Sequence, residues 1–128
     1  MRYLTIKGVV YFTLSIGFCH AQIDKIRFEY GKTRIKKSDY VKLDSLATIV
    51  KNEEMKLFSV KLVNLSCQEE WEKNKKIGAL RAIEIIDYME VKHKLSRSKF
   101  YYVDSHIETY DKLHCKDFSH IEVHLTRE

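Results

Sequence analysis

Proline is missing from this chain, and glycine occurs only four times. No low-complexity run and no internal repeat is present either. Nothing therefore reads as a linker, and the bulk of the chain is expected to form one compact domain. Long hydrophobic runs are also lacking. The longest, "GVVYFTLSIGF", lies near the N-terminus between "MRYLTIK" and "CHA", and it is too short to span a bilayer. Acidic residues are absent before Asp24. A positive start, a short apolar centre and the small residues Cys19 and Ala21 before a cleavage point mark 1–21 as a secretory signal peptide. The expected mature domain is then Gln22–Glu128, exported and without a membrane span. A lipid anchor on Cys19 is the rival reading, disfavoured because Phe18 stands where a lipoprotein signal has a small residue.

Two cysteines survive that processing, Cys67 and Cys115. An even count in an exported chain allows one disulfide, and two separate thiols are the alternative. The chain has no Cys-x-x-Cys and no His-Glu-x-x-His. His106, His114, Cys115, His120 and His124 crowd the C-terminal part. Yet His120 and His124 sit four residues apart on an expected strand, roughly 13 Å, too far to share one ion. Neither a metal nor a cofactor is expected. A Cys115 nucleophile would need a histidine base and an orienting acid, and no motif places that acid, so an enzyme is not expected.

Charge is not strongly one-sided. Lys and Arg number 23 against 18 Asp and Glu, and losing Arg2 and Lys7 with the signal takes the formal charge from +5 to +3. The basic residues are interspersed with acids, which reads as a solvated surface and not as a nucleic-acid footprint.

What is present is hydrophobic period. "IDKIRFEYG" alternates Ile26, Phe28 and Tyr30 against Lys25, Arg27 and Glu29, a half-buried strand that Gly31 can end. "SDYVKLDSLATIVKNEE" places Leu43, Leu46, Ala47 and Val50 on one helical face, with Ser38 or Asp39 as cap. "KLFSVKLVNL" is β-rich and apolar at its end, as an inner strand would be. A long second helical region runs to about Leu95. "KFYYVD" is a strand, 105–117 a polar loop, and "SHIEVHL" alternates Ile121, Val123 and Leu125 and completes the sheet. The order β-α-β-α-β-β predicts an α+β fold, a two-layer α/β sandwich with helices on one face.

The second helical region holds an anomaly. In "NKKIGALRAIEIIDYM", Ile77, Gly78, Ala82, Ile85, Ile86, Tyr88 and Met89 form one apolar face. Arg81 lies inside that face, although arginine is almost never buried unpaired.

That register resembles the OmpA C-terminal-like family, the peptidoglycan-associating domain also found in flagellar motor stators. The family reads Asn-x-x-Leu-Ser-x-x-Arg-Ala-x-x-Val-x-x-Tyr-Leu, and this chain has Asn74, Ile77, Gly78, Arg81, Ala82, Ile85, Tyr88 and Met89. The resemblance covers essentially the whole of 22–128. It implies non-covalent peptidoglycan binding in the periplasm or at the outer membrane. Arg81 would take a carboxylate of the stem-peptide diaminopimelate, with Ser66 and Asn74 at the pocket. Bidentate guanidinium–carboxylate pairing is the physical reason.

The chain also departs from the family. Ser66 stands where the family aspartate grips the ligand ammonium, within Val63-Asn64-Leu65-Ser66 in place of Gly-His-Thr-Asp. Glu69 replaces a glycine, Asp104-Ser105-His106 replaces Gly-x-Gly, and a late Gly-Arg falls on His114 and Cys115. Glu69 or Glu70 is a candidate substitute counter-charge. The alternative implied by these departures is a degenerate domain that has lost peptidoglycan and serves as a structural or protein-interaction module of the envelope. The same register puts Cys67 and Cys115 at the rim of the family pocket, where a bridge would staple it.

Ser66-Cys67-Gln68-Glu69 also fits a capping box. A continuous helix from Ser66 would leave it roughly 22 Å from Arg81. The expected geometry is instead a short turn capped by Ser66, a break, and a main helix from about Asn74.

Overall fold

The computed structural model describes residues 22–52, 58–107 and 119–127. The expected signal peptide at 1–21 and Cys115 lie outside them. Among the described residues four strands and three α-helices follow in chain order: β1 (Gln22–Arg27), α1 (Tyr40–Asn52), β2 (Phe58–Cys67), α2 (Gln68–Lys73), α3 (Ile77–His93), β3 (Phe100–Ile107) and β4 (His120–Arg127). The strand and helix succession is the expected one, with the second helical region divided between Lys73 and Ile77.

The strands form one sheet in the order β1-β4-β2-β3. Only β2 and β3 run parallel, joined through the helices; β4 pairs antiparallel with both β1 and β2. The last strand therefore enters the middle of the sheet, and β2 is an inner strand as its composition predicts. Alternation sets which side chains face the helices. Val60, Leu62, Ile121, Val123 and Leu125 are buried, and they pack with Leu43, Leu46, Ala47 and Val50 of α1 and Ala82, Ile85 and Met89 of α3. Fully burying each large aliphatic side chain contributes about 1.5–3 kcal/mol, so this single layer holds both helices to the sheet. On the other face Lys61, Val63, Leu65, Glu122 and His124 are half-buried, while Tyr101 and Val103 are exposed. His124 Nε2 lies 3.0 Å and His120 Nε2 3.7 Å from opposite oxygens of Glu122 there.

Local chemistry corrects several boundaries. β1 ends at Arg27, and Phe28 then bridges Ile35 across a turn in which Gly31 takes φ 71°. Asp39 stands immediately before α1. It is fully buried, and its carboxylate accepts the Arg27 N–H at 2.6 Å and the Arg27 guanidinium at 2.9 Å, tying the start of α1 to β1. Ser105 to Ile107 continue β3 and do not form a loop, because β3 keeps its pairing with β2 as far as Cys67; the remainder of the expected loop, 108–117, lies outside the described residues.

The main helix stops at His93, before Leu95. Lys94 takes the left-handed conformation, φ 60°, and its N–H closes on the carbonyls of Glu90 and Met89. Any residue with a Cβ is disfavoured there relative to glycine. Lys94→Gly should therefore stabilise the domain, by about 0.5–1 kcal/mol in urea unfolding.

Candidate functional site

The division of the second helical region is what shapes the site. β2 runs through Ser66 to Cys67, and Cys67 rather than Ser66 is the N-cap of α2, with no side-chain cap bond. The capping box therefore does not form. Ser66 is fully buried, and its Oγ accepts a hydrogen bond from Asn64 Nδ2 at 3.1 Å. α2 then lasts only to Lys73. Asn74, exposed and extended, closes it; the Asn74 Oδ1 accepts the Lys76 N–H at 3.0 Å and its carbonyl accepts the Ile77 N–H at 3.1 Å. Asn74 thus starts α3 through an Asx turn two residues before the helical N-cap, Lys76.

Gly78 seats the first turn of α3 on the sheet. A Cβ at this position would overlap Tyr102 Oη and the Asn64 amide. These groups belong to a polar node: Asn64 Nδ2 also donates to Asp104 Oδ1 (3.1 Å) and to the Ser105 carbonyl (3.2 Å), and Tyr102 Oη donates to Asp104 Oδ1 (2.9 Å). Burial, together with the bonded Asp104 carboxylate, pushes the Tyr102 phenol well above its usual range.

One turn further, Arg81 is directed into the molecule. It is 0% exposed, and its guanidinium lies 5.1 Å from the Phe28 ring centre. Its Nε donates to the Lys32 carbonyl at 2.7 Å and its Nη2 to the Glu29 carbonyl at 3.3 Å. Nη1 and Nη2 also donate to the two oxygens of Glu70, at 3.3 and 2.8 Å. Glu70 is 2% exposed and is itself saturated: Oε2 accepts the Gly31 N–H at 2.5 Å, and Oε1 accepts the Ser119 hydroxyl. Burial alone would raise the Glu70 pKa. The Arg81 guanidinium, the Gly31 N–H and the Ser119 hydroxyl outweigh it and hold Glu70 below its ordinary value, charged. The pair joins α3, α2, the turn after β1 and the residue before β4.

Of the residues singled out in the sequence, Arg81 lies in this interior network, and Ser66 lies in the Asn64 node beside it. Asn74 is exposed at the helix junction. Glu69 faces elsewhere, accepting the Tyr30 hydroxyl; Glu70, the other candidate counter-charge, is the partner of Arg81. Sequence reasoning missed Ser119, the Gly31 N–H and the carbonyls of Glu29 and Lys32. Backbone groups leave no residue-type signal, and Ser119 is far from Arg81 in the chain. Cys67 is fully buried at the β2–α2 junction.

No family model matches the chain, and no curated protein is significantly similar to it in sequence. Solved structures are similar in fold. The OmpA-like domain of FopA1 from Francisella tularensis superimposes with a TM-score of 0.66 at 19% identity, covering 87% of this chain and 75% of that one. A periplasmic domain of Helicobacter pylori MotB gives 0.64 at 10% identity, covering 89% and 80%. An outer membrane protein from Borrelia burgdorferi gives 0.59 at 16% identity, covering 84% and 87%. At these identities the likeness concerns the fold, and it makes this chain a divergent form of the OmpA-like fold.

Proposed function

We propose that this protein is an exported OmpA-like module of the cell envelope whose arginine site is closed. It then serves as a structural or protein-interaction unit and does not hold a peptidoglycan stem peptide. One observation carries this reading: Arg81 is 0% exposed, and its guanidinium is taken by Glu70 and two backbone carbonyls. A diaminopimelate carboxylate would have to displace a carboxylate of this chain that already makes the bidentate pairing. Displacement would also leave Glu70 buried and charged without its cation, a cost of several kcal/mol.

Export rests on the pattern of 1–21 and agrees with the occurrence of this fold in a periplasmic domain and an outer membrane protein. Among the described residues no helix is long and apolar enough to cross a membrane. A binding or structural role, and not catalysis, fits a site whose charged groups saturate one another.

Peptidoglycan association through diaminopimelate is the second reading. The retained register of Asn74, Ile77, Arg81 and Ala82 favours it, and it requires α2 to withdraw Glu70. Co-sedimentation with purified sacculi decides between the two. The closed site predicts that the wild type stays in the supernatant. Wild-type sedimentation that free diaminopimelate competes away would establish the second reading and remove the first.

A Cys67–Cys115 bridge belongs to the same proposal. Cys67 is fully buried at the end of β2, and a bridge would fasten it to the segment that precedes β4. Peptide mapping without reductant should yield a Cys67–Cys115 linked peptide that reduction separates. Recovery of Cys115 as an alkylated free thiol would refute the bridge.

A further inference from the structure

The fold gathers basic residues that the sequence keeps apart. The turn after β1 carries Lys32, Arg34, Lys36 and Lys37, and the α2–α3 junction carries Lys73, Lys75 and Lys76; all seven are exposed. The Arg81–Glu70 network brings these segments together, because Arg81 holds the Glu29 and Lys32 carbonyls while Glu70 holds the Gly31 N–H. Tyr30 and Glu69 join them a second time. The acids on the two segments are fewer. Glu70 is consumed by Arg81, while Glu69, which accepts the Tyr30 hydroxyl, and the exposed Glu29 and Glu72 keep their charges: three acids against seven basic residues. None of the seven basic groups forms an ion pair with a described carboxylate. Elsewhere on the surface Lys42, Lys92 and Arg97 do, with Asp39, Asp44, and Asp87 and Glu90 respectively.

Two half-buried aromatic rings stand among these lysines. Lys73 Nζ lies 5.7 Å from the Tyr30 ring centre, and Lys75 Nζ lies 5.0 Å from that of Trp71. Lysine ammonium groups set over half-buried Tyr and Trp rings match the composition of a membrane–water interface. We propose that this face is a peripheral docking surface for a bilayer carrying anionic headgroups. Charge complementarity specifies the occupant: exposed cations draw phosphate-bearing headgroups, and the attraction falls off within a Debye length. None of the seven side chains belongs to the buried pair, so substitutions on this surface leave the Arg81–Glu70 contact in place and its test is separate from the sacculus test.

Co-sedimentation of the purified protein with phosphatidylcholine vesicles, with and without phosphatidylglycerol, tests it. The wild type should bind only the vesicles containing phosphatidylglycerol and should be released by high salt. Changing Arg34, Lys36, Lys75 and Lys76 together to Gln should weaken partitioning on the order of 100-fold or more. A control variant with Lys25, Lys51, Lys61 and Lys94 changed to Gln alters the net charge equally and should bind like the wild type. Absence of wild-type binding at low salt overturns the proposal, as does an equal loss in both variants, which would show attraction by net charge alone. Circular dichroism melts of both variants confirm that they are folded.

Discussion

Arg81→Ala is expected to destabilise the domain by about 3–5 kcal/mol, because removing one member of a buried ion pair leaves the other charged and uncompensated. The Gly31 N–H and the Ser119 hydroxyl would still reach Glu70, but neither supplies a positive charge. A pocket arginine awaiting a ligand would behave differently, since its removal would abolish binding and leave stability nearly unchanged. The substitution therefore separates the two roles by urea unfolding alone. Replacing both members with apolar residues of similar volume, Glu70→Leu with Arg81→Met, should restore most of the loss, since such exchanges of buried pairs are often neutral or stabilising. The two positions are in contact, so their effects should be far from additive.

The same pair sets a pH dependence whose sign follows from its charges. In the folded protein Glu70 lies below its ordinary value of 4.5. The unfolded chain therefore takes up the proton first on acidification. The contribution of this group is fully present above about pH 4.5 and is lost as pH falls through the folded value. In Arg81→Ala burial is opposed only by the Gly31 N–H and the Ser119 hydroxyl, so the folded Glu70 binds its proton more readily than in the wild type and protonation relieves the buried charge. The gap in unfolding free energy between wild type and variant should accordingly narrow from neutral pH toward pH ~3.5. A gap that stays constant across that range would place Glu70 outside the effect.

Gly78→Ala is the second substitution with a large expected effect. The added methyl group would meet Tyr102 Oη and the Asn64 amide, both held in the polar node with Asp104. Neither can retreat without losing hydrogen bonds of that node. Overpacking of this kind costs about 1–3 kcal/mol. The loss should be partly rescued by Asn64→Ser with Tyr102→Phe, which vacates the colliding atoms. Equal unfolding midpoints for wild type and Gly78→Ala would show that α3 does not sit this closely on β2. The resembled family has serine at this position. Glycine here accommodates Asn64 and Tyr102, so two departures in the sequence prove to be one packing solution.

Much of the architecture was legible because burial imposes periods. The alternation in "SHIEVHL" and the spacing of Leu43, Leu46, Ala47 and Val50 each reported a buried face, and both faces are in the core. The break before α3 was legible from Asn74. Where polar groups could choose between partners, the local pattern misled. Ser66 and Asp39 both look like helix caps, yet the Ser66 hydroxyl is taken by Asn64, its neighbour on the same face of β2, and the Asp39 carboxylate by Arg27, twelve residues earlier. Spacing cannot reveal such contacts. The anomaly at Arg81 was visible, and Glu70 was one of two named counter-charges. Choosing between them required the fold: neighbouring residues on a six-residue helix point in different directions, and only Glu70 faces inward. The basic surface was hidden for a related reason. Lys32 to Lys37 and Lys73 to Lys76 are separated by a helix and a strand, and each group has acids nearby in sequence.

The closed site is tested most directly by solvent exchange at the Arg81 side chain, observed by NMR as the Arg81 Nε–H signal while diaminopimelate is added. That proton is donated to the Lys32 carbonyl in a fully buried setting. It should exchange slowly at neutral pH and keep its shift throughout the titration. Fast exchange together with a saturable shift on adding diaminopimelate would show an open arginine that binds ligand, and would contradict the account.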